Sequence, residues 1–199
     1  MCTGYVGLFS TLSDFDECPV SRGFGLMSLQ VVWFKRDLRL HDHAALHHAA
    51  AHGPVLCLYA IEPSIWAQPD ASNPHYQFIL ESLRDLNSEM NHYGGQVHVV
   101  CGEVTTLLAQ LHAVFPLAAL YSHEETGNDL TFQRDLAVAN WCRQHGVPWH
   151  EFAQLGVVRR LKDRNLWQAR WPRSGPGRPE KLSGTFSNQD AQPSTRTGI

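Results

Sequence analysis

Residues 30–42 read Gln-Val-Val-Trp-Phe-Lys-Arg-Asp-Leu-Arg-Leu-His-Asp, and the reading of this stretch decides the fold. Val31, Val32, Trp33 and Phe34 form a run of β-branched and aromatic residues, the pattern of a strand buried on both faces. A block of charge follows at once: Lys35, Arg36, Asp37, then Arg39. Open α/β sheets bind ligands at the C-terminal ends of their strands, so this charge falls on a ligand edge. A helix is expected next. Asp42 suits an N-cap, the Ala-rich segment 43–52 has high helix propensity, and Gly53 can close it in the left-handed conformation.

Outward from this unit the pattern repeats. Val55–Ile61 is a second apolar run, ended by Glu62-Pro63, with a loop expected over 62–72. Asn73-Pro74 then opens a helix, Asn73 as cap and Pro74 at its first position. Tyr76, Ile79, Leu80, Leu83, Leu86 and Met90 share one face of it, and Gly94-Gly95 stops it. Val97–Cys101 is strand three. Glu103–Phe115 is a helix with Val104, Leu107, Leu108, Leu111 and Phe115 inward, broken by Pro116. Leu117–Tyr121 is strand four, with an acidic loop over 122–128. Asn128 or Asp129 caps a helix to about Gln144, Gly146 ends it, and a short strand over 147–152 closes the series. Five strands alternating with four helices, on connections too long for hairpins, imply right-handed crossovers and a parallel sheet. The expected fold is a three-layer, Rossmann-like α/β domain with a five-stranded parallel sheet, flanked by disordered tails.

The chain has 199 residues, 43% hydrophobic and 18% charged, with a net charge of −3. These values fit a globular protein and argue against a generic nucleic-acid binder. No apolar run approaches a membrane span. Basic residues are uneven: eight Lys/Arg against two acids lie between Arg159 and Lys181. The five cysteines form no C-x-x-C pair and are odd in number, so they read as thiols in a reducing compartment. No secretory leader is evident, and cytoplasm is the expected location. Residues 1–28 show no sustained period, and the sequence beyond Pro172 turns to Gly, Pro, Ser, Asn and Gln, a composition that builds no core.

Chemistry concentrates at the sheet's C-terminal edge. Arg36, Asp37 and Arg39 read first as ion pairs that fix the loop after strand one, and second as the wall of a ligand cleft. Glu124 and Glu125 follow strand four. Adjacent carboxylates there can hydrogen-bond a polar ring system such as a pterin or a deazaflavin, and equally can form a solvated acidic loop. His43/His47 and His48/His52 have i,i+4 spacing, yet no third ligand stands near them, and a metal is not expected. No nucleophile elbow, no phosphate loop and no G-x-G-x-x-G after a strand is present.

Trp33 to Asp42, followed by Ala45-Leu46, resembles the opening signature of the DNA photolyase/cryptochrome family, with Lys35 a conservative departure and His43-Ala44 in place of Asn-Pro. The resemblance covers about residues 29–171 and only the family's N-terminal α/β domain. It implies an antenna-binding domain, with folate, deazaflavin or flavin as the light-harvesting chromophore. It implies cofactor-binding roles for Phe34, Arg36, Asp37, and Glu124 or Glu125, with Arg134-Asp135 matching a later pair in the family's helix, and no catalytic residue in this domain. FAD, and contact with damaged DNA, belong in the family to a helical C-terminal domain that serves blue-light repair or photoreception. The expected organisation is an extension over 1–28, with Met27 a candidate start, the α/β domain over 29–160, the start of an interdomain connector over 161–171, and a frameshifted or truncated tail over 172–199. A monomer is expected. The alternatives are a free-standing Rossmann-like nucleotide or flavin binder, and a non-functional gene fragment.

Overall fold

The computed structural model describes residues 28–154. The extension before Ser28, the connector, the tail and the basic segment lie outside the described residues. Within them the order is β1 (Leu29–Phe34), α1 (Ala44–Ala50), β2 (Val55–Ile61), α2 (Pro63–Trp66), α3 (Asn73–Asn91), β3 (Val97–Cys101), α4 (Val104–Val114), β4 (Leu117–His123), α5 (Asp129–His145) and β5 (Trp149–Phe152).

All five strands pair in parallel, in the order β3-β2-β1-β4-β5. The chain therefore winds outward from β1 in both directions, and the reversal falls between β1 and β4. A crevice opens at such a switch point because the two flanking connections leave on opposite faces. Alternation along β1 divides the core in two. Val31 and Trp33 pack with Leu107, Leu108, Val138 and Trp141 of α4 and α5. Val32 and Phe34 pack with Leu46, Leu80, Leu83 and Met90 of α1 and α3. Strand β1 is buried along its whole length, as its unbroken apolar run required.

Several local expectations shift. Asp42 does not cap α1: its φ is +52°, and the cap is His43, whose Nδ1 accepts from the Leu46 N–H at 3.0 Å. Arg39 holds the turn that allows this, donating from Nε to the His41 carbonyl and from Nη2 to the Asp42 carbonyl. Gly53 has φ +149°, an extended positive-φ conformation and not the left-handed helical one. Ser72, one residue before Asn73, caps α3. The loop after β2 contains the single turn α2, begun by Pro63. Strand β4 runs two residues further than Tyr121, through Ser122 and His123, because both are buried and still paired with β5. Gly146 ends α5 in the left-handed conformation, φ +67°, as expected.

Candidate functional site

The ends of β1 and β2, the turn α2, the start of α3 and the first turns of α5 line a cleft open to solvent, with a cavity volume of about 90 Å³. It lies at the C-terminal edge, beside the switch point. Trp33, Phe34, Tyr59, Ile65, Trp66 and Ile79 give it an apolar and largely aromatic lining. Trp66 stands edge-on to Tyr76, ring centroids 4.9 Å apart, and this fixes the wall that α2 contributes.

One wall is polar and centred on Arg134. Its Nη1 donates to Glu62 Oε2 at 2.9 Å and its Nη2 to Asp135 Oδ1 at 2.9 Å, with a second, short Nη2 contact to Glu125 Oε2. Glu125 Oε1 also pairs with Arg36 Nε at 3.1 Å. Glu62 Oε1 accepts the Val104 N–H and so closes the start of α4. The Arg134 side chain is 11% exposed. Burial opposes its charge, but Glu125, Glu62 and Asp135 outweigh that and raise its pKa above the ordinary value. Burial pushes the Glu62 carboxyl up, and Arg134 offsets part of this. Lys35 is buried against Asp135 at 3.1 Å, its ammonium 4.2 Å from the Trp33 ring centroid, with the Arg134 guanidinium over the same ring at 4.7 Å. Desolvation lowers the Lys35 pKa and Asp135 acts against that. The cations of this wall are thus held in place by acids, and each carboxylate keeps acceptor capacity beyond one bond per oxygen.

Asp37 belongs to a second centre at the same edge. Its Oδ1 accepts the Lys35 backbone N–H at 2.8 Å, and its Oδ2 lies 2.6 Å from His123 Nδ1 and 2.8 Å from His43 Nε2. Desolvation favours the neutral acid, but the two histidines outweigh it and hold the carboxyl well below the usual range. Burial lowers the His43 pKa, partly offset by Asp37. Because His43 Nδ1 accepts the Leu46 N–H, the neutral ring carries its proton on Nε2. That N–H points off the line to the carboxylate, so the contact is close and electrostatic without full hydrogen-bond alignment. Asp37, His43 and His123 also have the spacing of a metal site, their ligand atoms all within 4.8 Å of one another. A metal on His43 Nε2 would need the proton moved to Nδ1, where it would face the Leu46 N–H and break the cap. The arrangement fits a hydrogen-bonded clamp better than a metal centre.

The expected site residues therefore divide. Phe34, Arg36 and Glu125 line the cleft, whereas Asp37 and Glu124 do not. Glu124 donates its backbone N–H to the Phe152 carbonyl. The spaced histidines do not act as pairs: His43 turns inward to Asp37, and the His52 ring contacts the His48 carbonyl. Sequence reasoning missed Glu62, Tyr59 and Trp66. A carboxylate directly after an apolar strand, as Glu62 follows β2, was the available signal for the first.

Fold and cleft define a Rossmann-like α/β domain with a cleft at the C-terminal edge of its sheet, beside the switch point. The family model for DNA photolyase matches residues 30–161, and the chain belongs to that family. It is 27% identical over 131 residues to a deoxyribodipyrimidine photo-lyase of Alkalihalophilus pseudofirmus, over 63% of this chain and 26% of that protein. It is 32% identical over 121 residues to cryptochrome-2 of Gallus gallus, over 59% of this chain and 20% of that protein. The chain therefore spans about a quarter or less of these relatives. The fold matches a class III photolyase from Agrobacterium tumefaciens with a TM-score of 0.64 at 23% identity, over 79% of this chain and 34% of that one. It matches an archaeal photolyase from Sulfolobus tokodaii, solved with two FAD molecules, with a TM-score of 0.62 at 20% identity, over 80% and 38%. Among the described residues no helix is long and apolar enough to cross a membrane.

Proposed function

We propose that this domain binds a light-harvesting antenna chromophore, a planar polar heteroaromatic of the folate, deazaflavin or flavin class, in the cleft beside β1. In the whole protein that antenna would serve FAD-dependent, blue-light-driven pyrimidine-dimer repair or photoreception, with FAD and damaged DNA held by a helical domain of the photolyase kind. The observation that carries the reading is the cleft itself, with aromatic walls from Phe34, Tyr59 and Trp66 facing a carboxylate wall from Glu62 and Glu125. Its lining divides about evenly between apolar, largely aromatic side chains and polar or charged ones, which fits a conjugated ring with polar edges.

The residues divide the work. The aromatic side chains exclude water from the ring faces and supply dispersion contact. Glu62 and Glu125 accept ring or exocyclic N–H groups. Arg134 positions both carboxylates, and Arg36 closes the outer side of Glu125. The chromophore would supply near-ultraviolet or blue absorption, and the protein's part is to orient it. The test is to incubate the purified chain with methenyltetrahydrofolate, 5-deazariboflavin or riboflavin, desalt it, and record the spectrum. A retained band between the near ultraviolet and the blue is expected. A colourless protein after all three ends the reading.

A further inference from the structure

We infer that Trp66 gates the cleft: its indole shifts toward a second, larger cavity to admit a planar ring, and so sets how fast a ligand enters. The inference rests on the antenna reading and concerns access to that site. It comes from two cavities that share one side chain. The cleft has a cavity volume of about 90 Å³. A dry apolar cavity that takes up benzene has about 150 Å³. The cleft as it stands is therefore too small to enclose even a single six-membered ring. The second cavity has a volume of about 390 Å³, and its lining includes Ile61, Pro63, Tyr76 and Cys101. Trp66 is common to both linings. The larger cavity has room for an indole, and the smaller one needs the space that the indole would vacate.

The segment that carries Trp66 is anchored at one end and lightly tied at the other. Ser64 donates its backbone N–H and its hydroxyl to the two carboxylate oxygens of Glu103, at 3.0 and 2.8 Å, and Glu62 just before it is buried. Helix α2 is a single turn with Trp66 as its last residue. Beyond it Ala67, Pro69 and Asp70 are exposed and belong to neither core cluster. Across the mouth of the cleft the loop is held on the surface, where Asn128 Nδ2 donates to Asp70 Oδ2 at 3.3 Å. Few buried contacts and solvent-exposed hydrogen bonds mark a segment that opens locally at low cost.

The other walls are fixed. Trp33, Phe34 and Tyr59 stand on the buried strands β1 and β2, and the polar wall is held by the ion pairs of Arg134. Displacing either would disturb the core or leave buried carboxylates without their cation. Trp66 is only half-buried, and its ring lies 5.4 Å from His75 and 4.9 Å from Tyr76 between centroids. Tyr76 also lines the second cavity, so an indole moving that way keeps an aromatic neighbour. It then stays beside the ligand as the outer wall of a widened cleft.

The test uses the full 199-residue chain and riboflavin, or whichever of methenyltetrahydrofolate and 5-deazariboflavin is retained on desalting in its place. Entry is followed by stopped-flow fluorescence. In the parent the observed rate should level off as ring concentration rises, because opening precedes entry. Trp66→Ala should raise that plateau about tenfold, and Asp70→Ala, which frees the loop from Asn128, should raise it several-fold. Damage to the fold would lower affinity without speeding entry. A second readout uses Cys101, which is exposed and lines the receiving cavity. A bound ring, by sending the indole there, should slow iodoacetamide alkylation of Cys101 several-fold in the parent and leave it unchanged in Trp66→Ala, as read by peptide mass spectrometry. Equal entry rates in Trp66→Ala and the parent, or Cys101 alkylation indifferent to the bound ring, overturn the inference and leave the antenna reading standing. Retention of none of the three rings removes the antenna reading, and the inference with it.

Discussion

Two buried carboxylate centres sit at one edge of one sheet and are built for opposite ends. The Asp37 centre is closed. Its acceptor atoms are engaged by His43, His123 and the Lys35 N–H, and nothing of it reaches the cleft. The Glu62–Glu125 centre is held by Arg134 and Arg36, and it lines the cleft. The closed centre joins the loop after β1, the start of α1 and the end of β4, and its product is shape. The cleft-lining centre is the one proposed to meet a ligand. Burial of a charge at a ligand edge is therefore no index of a ligand role by itself: what matters is whether the charge has acceptor or donor capacity facing a void.

The contrast breaks most severely at Arg134. Arg134→Met leaves Glu62, Glu125 and Asp135 without their shared cation, and is expected to cost about 3–5 kcal/mol. Urea denaturation measures this, and ligand retention should vanish with it. A variant as stable as the parent would mean that the acids are solvated or protonated and that the wall is not held by this ion pairing.

Asp37→Asn comes next, at about 2–3 kcal/mol, because a neutral amide replaces an acceptor of several bonds and turns an N–H₂ group toward at least one donor. Under conditions where the variant remains folded, its affinity for a bound ring should match the parent's. An affinity loss larger than the unfolded fraction explains would place Asp37 in recognition after all.

Acid should reach the closed centre first. The folded-state pKa of His43 is lowered, so the unfolded chain takes up that proton first as pH falls through about 6.5. Stability should then drop by about 1 kcal/mol per pH unit between pH 6.5 and 5. Asp37, depressed in the folded state, adds to the loss only as pH falls below about 4, and protonation of Glu62, whose carboxyl is raised, works in the opposite direction. His43→Asn keeps an N-cap acceptor and removes the titration, so its stability profile should be flatter between pH 7 and 5. A variant that follows the parent's slope would assign the acid sensitivity elsewhere.

Glu125→Gln should be the mildest for the fold, within about 1 kcal/mol, since Arg134 keeps Glu62 and Asp135. It sharpens the comparison most, because retention of the bound ring should weaken about tenfold while the melting curve hardly moves. Equal losses in binding and stability would make the open centre a second clamp.

Much of the fold was legible because its signals are local. Unbroken apolar runs at 31–34 and 55–61 read as buried strands between helical segments, and Gly146 ends α5 with the positive φ that glycine favours. The errors were local too. Asp42 looks like a cap, yet Arg39 holds the turn around it, which gives Asp42 a positive φ and passes the capping role to His43. Glu62, read only as a strand terminator, became a cleft carboxylate because Arg134, 72 residues later, folds back onto it.

The sequence by itself determined the alternation of strand and helix, the parallel sheet, the ligand edge and the family, since periodicity, charge position and a ten-residue signature are properties of neighbours along the chain. Only the tertiary structure placed Glu125 and not Glu124 in the cleft lining, and set Asp37 outside it. Those outcomes depend on which side chains meet from strands and helices distant in sequence: His123 reaches Asp37 across 86 residues, and Asp135 reaches Lys35 across 100. Electrostatics act through space, and partners that distant are chosen by strand order and crossover hand.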